Sequence, residues 1–219
     1  MPRQLKRGFT LIEVLVTLVI LTFGLLGIAG LMAKGQRIAF EAYQRQQAVA
    51  LATDMGERIL GNRMLAATCP PGPGCTTYIA GAPVLTPLGA GLSYNQYLTG
   101  GTKDCAAAVC SVQELSLYDL ALWDGLLNGY GEQQAVGGAR VGGIVNARGC
   151  IQELANTSGA CAGPGAAYTS SIRVSVSWQG NDETATPTGA NSNCGTGLYG
   201  VEAKRRIVTY DLMVQQTCP

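Results

Sequence analysis

From Phe9 to Ala33 the chain runs for 25 residues with a single charge, the carboxylate of Glu13. A helix of that length, at about 1.5 Å per residue, crosses the roughly 30 Å hydrocarbon core of a bilayer. Whatever the chain folds into must keep this segment away from water. Residues 1–8 carry Arg3, Lys6 and Arg7 and no acid. A basic flank of this kind holds the N-terminus in the cytoplasm and sends the remainder outward. A secretory signal peptide would have a shorter apolar stretch ending in a small-residue cleavage site. A plain single-span anchor fits the length but leaves Glu13 without a purpose.

A carboxylate in an apolar membrane helix costs on the order of 2.5–3.5 kcal/mol and marks a functional position that needs a partner. Cleavage between Gly8 and Phe9 would create that partner. The free α-amine of Phe9 is charged near neutral pH, and Glu13 of one subunit can pair with the amine of a neighbour. Desolvation offsets much of the attraction, so the pair acts as a register device: a subunit one step out of place buries both charges alone.

The run Lys6-Arg7-Gly8-Phe9-Thr10-Leu11-Ile12-Glu13-Val14-Leu15 resembles the class III signal of type IV prepilins and type II secretion pseudopilins. The resemblance implies cleavage after Gly8 and methylation of the Phe9 amine by a prepilin peptidase, with Glu13 in the role of the family's buried glutamate. Many major pilins carry a proline in the second half of this helix. Here Gly24, Gly27 and Gly30 occur instead. Two uses are open for them: close helix packing, which membrane helices obtain from glycine, or a local unwinding site, since glycine costs about 1 kcal/mol against alanine in a helix.

The chain has no histidine, which removes histidine-based nucleophile systems, a histidine general base and histidine-ligated metals. Eight cysteines stand at Cys69, Cys75, Cys105, Cys110, Cys150, Cys161, Cys194 and Cys218. An even count confined to the exported part reads as a disulfide framework in an oxidising compartment. A zinc site is the alternative, but none of the spacings is C-x-x-C. Eight cysteines allow 105 pairings; the simplest joins sequence neighbours, Cys69–Cys75, Cys105–Cys110, Cys150–Cys161 and Cys194–Cys218. No cofactor and no metal are expected.

Helical periodicity continues past the apolar run through Ile38, Phe40, Ala42, Tyr43, Leu51, Met55 and Ile59 to about Arg63. Pro70-Pro71-Gly72-Pro73-Gly74 then breaks regular structure. Ser111-x-x-Glu114 is a capping box. Behind it Leu115, Tyr118, Leu122 and Leu126 form an apolar face with Trp123 and Leu127 beside them, and Asn128-Gly129 ends the helix. Ile172, Val174, Val176 and Trp178 alternate with polar residues, as do Val208, Tyr210, Leu212 and Val214, and Val141–Val145 offers a further strand. These elements give an α+β fold, an antiparallel sheet packed on the amphipathic half of a long helix. The resulting division is a leader at 1–8, a transmembrane half-helix at 9–33, an amphipathic half-helix at 34–63 and a disulfide-bonded head at 64–219. The resemblance makes this a type IV pilin-like fold.

Softer motifs narrow the likeness. Tyr43–Arg63, Tyr118-Asp119-Leu120-Ala121-Leu122-Trp123, Arg148-Gly149-Cys150-Ile151, Ser177-Trp178-Gln179-Gly180 and Cys194–Gly200 with Arg205-Arg206-Ile207-Val208 are similar to the PilV family of minor pilins, the type IV pilus modification proteins. That likeness implies a non-enzymatic subunit that primes pilus assembly at or near the tip. Its implied partners are other minor pilins, the major pilin, the prepilin peptidase, the inner membrane and a tip adhesin. The head would be periplasmic at first and extracellular in the pilus. A minor pseudopilin of a type II secretion system shares everything up to about residue 33. A tethered enzyme would have Glu114, Asp119, Asp124, Glu132 and Glu153 to work with, none marked out as a pair. Nucleic acid is not an expected partner: Lys204-Arg205-Arg206 is the one basic cluster, and three charges flanking a strand more often sit in solvent than on phosphates.

Overall fold

In the computed structural model the described residues are 8–62, 78, 88–89, 103–129, 143–156, 167–189 and 193–217. The chain divides into two compact units, residues 1–42 and 43–219. Helix α1 spans Leu11–Gly61 and α2 spans Val112–Leu127. Strands β1 (Arg148–Asn156), β2 (Ala167–Gln179) and β3 (Arg205–Thr217) form an antiparallel sheet in the order β1-β2-β3. The expected α+β, pilin-like architecture is present.

The first unit consists of the apolar part of α1, with its side chains exposed in the single chain. Among the described residues α1 is the one helix long and apolar enough to cross a membrane.

In the second unit α1 buries Gln44, Ala48, Ala52, Met55, Gly56 and Ile59. Periodicity had placed Ile38, Ala42, Leu51, Phe40 and Tyr43 on the packed stripe together with Met55 and Ile59. Only Met55 and Ile59 are fully buried there; Leu51 is half-buried and Ile38, Phe40, Ala42 and Tyr43 are exposed. Half of the packed face is small, Ala48, Ala52 and Gly56, and these residues carry little hydrophobic signal but allow close approach. At Gly56 a Cβ would overlap the Tyr210 ring of β3, so the ring lies directly on helix backbone.

Helix α2 starts as its sequence dictates. The Glu114 backbone N–H donates to Ser111 Oγ at 3.2 Å, and the Ser111 N–H donates to Glu114 Oε2 at 2.7 Å, closing the capping box. Gly129, at φ 70°, takes the left-handed turn that ends the helix. Its buried stripe is Ser116, Leu120, Trp123 and Leu127, with Leu115, Tyr118, Leu122 and Leu126 half-buried. The apolar face read from the sequence is therefore off by about one residue around the helix. Trp123 sets the actual orientation: its indole N–H donates to the Leu51 carbonyl of α1 at 2.9 Å, while its ring fills the space a side chain on Gly149 would need.

Strands β2 and β3 pair in unbroken register from Ala167↔Thr217 to Gln179↔Arg205. Their alternating residues Ile172, Val174, Val176, Trp178, Leu212 and Val214 enter the core with Met55, Ile59, Trp123 and Ile151, each large one worth about 1.5–3 kcal/mol on burial. Of the strand expected at Val141–Val145, residues 141 and 142 lie outside the described residues, and the described part, 143–145, is not a strand. Residues 143–147 are not extended: Gly143 and Asn146 both have positive φ, 98° and 52°, and turn the chain. The third strand is β1, paired with β2 and bulged between Glu153 and Ala155.

Two disulfides fall among the described residues. Cys105–Cys110 is the expected local bridge. Cys150 pairs with Cys194, 44 residues on, which overturns the neighbour pairings Cys150–Cys161 and Cys194–Cys218. Sequence proximity misleads here because β1–β2 pairing carries Cys150 opposite Ser175, and the turn containing Cys194 packs against that part of the sheet. Ser175 and Ser177, on the outer side of β2, are buried, and the Ser177 and Tyr199 hydroxyls share a 2.9 Å hydrogen bond. Cys69, Cys75, Cys161 and Cys218 lie outside the described residues.

Candidate functional site

Gly8, Phe9 and Thr10 precede the helix in non-helical conformation. The Thr10 carbonyl closes the first turn, accepting from the Glu13 N–H at 3.1 Å and the Val14 N–H at 3.3 Å. The Gly8–Phe9 peptide bond thus stands just ahead of the hydrogen-bonded segment. Phe9 is 84 % exposed, and a Cβ on Gly8 would meet nothing within 4 Å. Among the described residues nothing packs where a side chain at position 8 would lie.

Glu13 lies in the first turn of α1. There the unpaired N–H groups and the macrodipole favour a negative charge by about 0.3–1 kcal/mol. The uncharged run that follows, Val14–Ala33, has 20 residues and is about 30 Å long as a helix, one hydrocarbon thickness. If this run spans a membrane, Glu13 would stand at the edge of the hydrocarbon, where a carboxylate costs less than at mid-bilayer. The signal for this placement was the Thr10-x-x-Glu13 spacing, a helix-start pattern, which the hydropathy reading passed over.

Gly24, Gly27 and Gly30 lie inside unbroken α-helix, and a Cβ at each would meet open space. The single chain is not unwound at any of them. Whatever close approach they permit is to a neighbour.

The head carboxylates are engaged in holding the fold. Glu114 closes the capping box and pairs with Lys103 at 3.3 Å. Its pKa is held below the ordinary value, by the Ser111 backbone N–H first and Lys103 next. Asp119 accepts from Arg58 at 3.1 Å and from the buried Tyr78 hydroxyl at 2.5 Å. Burial first, and Asp119 next, push the Tyr78 phenol well above its ordinary pKa. Asp124 accepts from the Gly89 N–H at 2.6 Å, and Glu153 from Ser170 Oγ at 2.5 Å. Glu132 lies outside the described residues. In the basic cluster, Arg205 is buried, bonded to Glu202 at 2.7 Å and to the Cys194 carbonyl at 3.2 Å. Arg206 donates to the Ala203 and Asp182 carbonyls at 3.0 and 2.6 Å. Two of these three cations are committed to loop structure. Among the described residues no group of three or more His, Cys, Asp or Glu is placed to hold a metal.

The geometry concentrates functional potential in one place: an accessible Gly–Phe bond, a carboxylate one turn into a helix, and an apolar helix surface uncovered in the single chain. Residues 3–29 match the prokaryotic N-terminal methylation motif. No curated protein and no solved structure matches the chain. The motif makes this a pilin- or pseudopilin-like chain.

Proposed function

We propose that this chain is a minor pilin of a type IV pilus, of the PilV kind, with no catalytic role of its own. A prepilin peptidase cleaves after Gly8 and methylates Phe9. The membrane-held subunits form an inventory, Glu13 fixes the stagger of each helix on its neighbour's amine, and the disulfide-bonded head selects lateral partners. In this reading the head begins in the periplasm and ends in the pilus, and the subunit joins other minor pilins in a priming complex at or near the tip, below a tip adhesin, ahead of the major pilin. The observation that carries the proposal is the methylation motif over residues 3–29, which includes Gly8, Phe9 and Glu13. The softer resemblances in the head are the reason for preferring PilV over other minor pilins.

A minor pseudopilin of a type II secretion system is the second reading, because the matched residues are shared by both classes. A deletion strain complemented with wild-type or Glu13→Ala protein, scored in parallel for surface pili and secreted exoproteins, separates the two. Lost pili with normal secretion, restored by wild type only, are the expected result. Normal pili with blocked secretion would assign the chain to secretion, and full piliation by processed Glu13→Ala would remove the ion-pair role.

A further inference from the structure

The apolar run of α1 ends at Lys34, and the next turn carries Arg37, Ile38 and Phe40. All four are exposed, Ile38 by 61 % and Phe40 by 45 %. Neither cation stands in an ion pair among the described residues. Cations at this end oppose the orientation set by Arg3, Lys6 and Arg7, since membrane spans concentrate Lys and Arg on the cytoplasmic side. Two of them directly at the exported end are costly unless something there compensates. With Val14–Ala33 filling one hydrocarbon thickness, Lys34 falls at the boundary, and the six residues from it to Phe40 rise about 9 Å. The polar layer on each side of a bilayer is only slightly thinner, about 5–8 Å. Lys34 and Arg37, three residues apart, share one side of the helix and reach the phosphate plane together. Phe40, six residues on from Lys34, lies at the outer limit of that layer.

We propose that Lys34 and Arg37 form a binding site for anionic phospholipid headgroups at the outer surface of the membrane that holds the subunit. The inference rests on the membrane-held subunit described above. Removal of residues 1–8 takes three cations from the inner end of the helix. Lys34 and Arg37 then become the ionic anchor that fixes its depth and so the height of Glu13 before assembly. Leaving the bilayer releases the lipids, so the anchor is reversible.

The full chain reconstituted in phosphatidylcholine vesicles, with trace spin-labelled phosphatidylglycerol or phosphatidylcholine, reads this directly from the motionally restricted lipid fraction. The expected result is a preference for phosphatidylglycerol that drops about fivefold per cation in Lys34→Gln/Arg37→Gln, the equivalent of ~1 kcal/mol each, and weakens in 1 M salt. Equal restriction of both lipids by wild type, or an unchanged preference in the double variant, would overturn the site. The second outcome would trace the preference to Arg3, Lys6 and Arg7. No restricted fraction for either lipid would instead overturn the membrane reading itself.

Discussion

Replacing both Cys150 and Cys194 with alanine tests the one long-range constraint that reasoning from proximity placed wrongly. In the chain-entropy account, a bridge stabilises by limiting the unfolded chain, with ΔS of about −2.1 − 1.5R ln n cal/mol/K. The separation of 44 residues gives about 4 kcal/mol at 25 °C, and the separation of 5 for Cys105–Cys110 gives about 2 kcal/mol. Both cysteines of the longer bridge are buried, 3 % and 4 % exposed, so lost packing adds to the loss. The assay is urea unfolding of the detergent-solubilised chain followed by tryptophan fluorescence. Trp123 and Trp178 are its two tryptophans and both are buried in the head, so the signal ignores the membrane segment. With a slope of about 2 kcal/mol/M, the midpoint should fall by about 2 M for the Cys150/Cys194 variant and about 1 M for the Cys105/Cys110 variant. A loss no larger for the first than for the second would refute the loop-closure reasoning. Peptide mapping that fails to find Cys150 joined to Cys194 would refute the connectivity.

Three further outcomes are expected. Gly149→Val should destabilise the head by about 1–3 kcal/mol through overpacking against Trp123 and Leu127, measured in the same urea assay; Trp123→Leu should restore part of the loss when combined with it. Asp119→Ala should cost about 1–3 kcal/mol by stranding the buried Tyr78 hydroxyl and half-exposed Arg58, and a midpoint unchanged from wild type would show the pair contributes nothing. Glu114 has a folded pKa below its ordinary 4.5, so its contribution is present above pH 4.5 and is lost as pH falls through the lower folded value. Glu114→Gln should therefore flatten the acid limb of a stability–pH curve, and an identical limb in the variant would contradict the assignment.

Features written in local sequence were legible. The methylation motif at residues 3–29 and the Ser111–Glu114 capping box each depend on residues close together in the chain. Strands β2 and β3 showed because Ile172–Trp178 and Val208–Val214 alternate cleanly. Strand β1 was missed because Arg148-Gly149-Cys150-Ile151-Gln152 does not alternate by polarity. Gly149 lies under Trp123 and Cys150 is covalently held, and both circumstances arise from distant residues. The buried stripe of α1 was misread for a related reason. Gln44, Ala48, Ala52 and Gly56 are polar or small and give no apolar signal, and at Gly56 burial follows from the Tyr210 ring of a distant strand. The Cys150–Cys194 pairing required knowing the sheet first. At the N-terminal end, the position of Glu13 in the first turn of α1 follows from the Thr10-x-x-Glu13 spacing rather than from hydropathy.

The Tyr210 ring seated on bare backbone at Gly56 has a mechanical meaning. In the filament role proposed above the chain would be loaded along its helix, and any slippage of that helix past the sheet would have to move in steps of about 5.4 Å, one turn. One step in either direction brings the side chain of Ala52 or Leu60 to a ring that already touches the helix axis as closely as a glycine allows. The ring therefore works as a pawl in both directions. Tension applied at the N-terminal helix would be met first by steric rejection at a single aromatic side chain, ahead of any rupture of hydrogen bonds in the sheet.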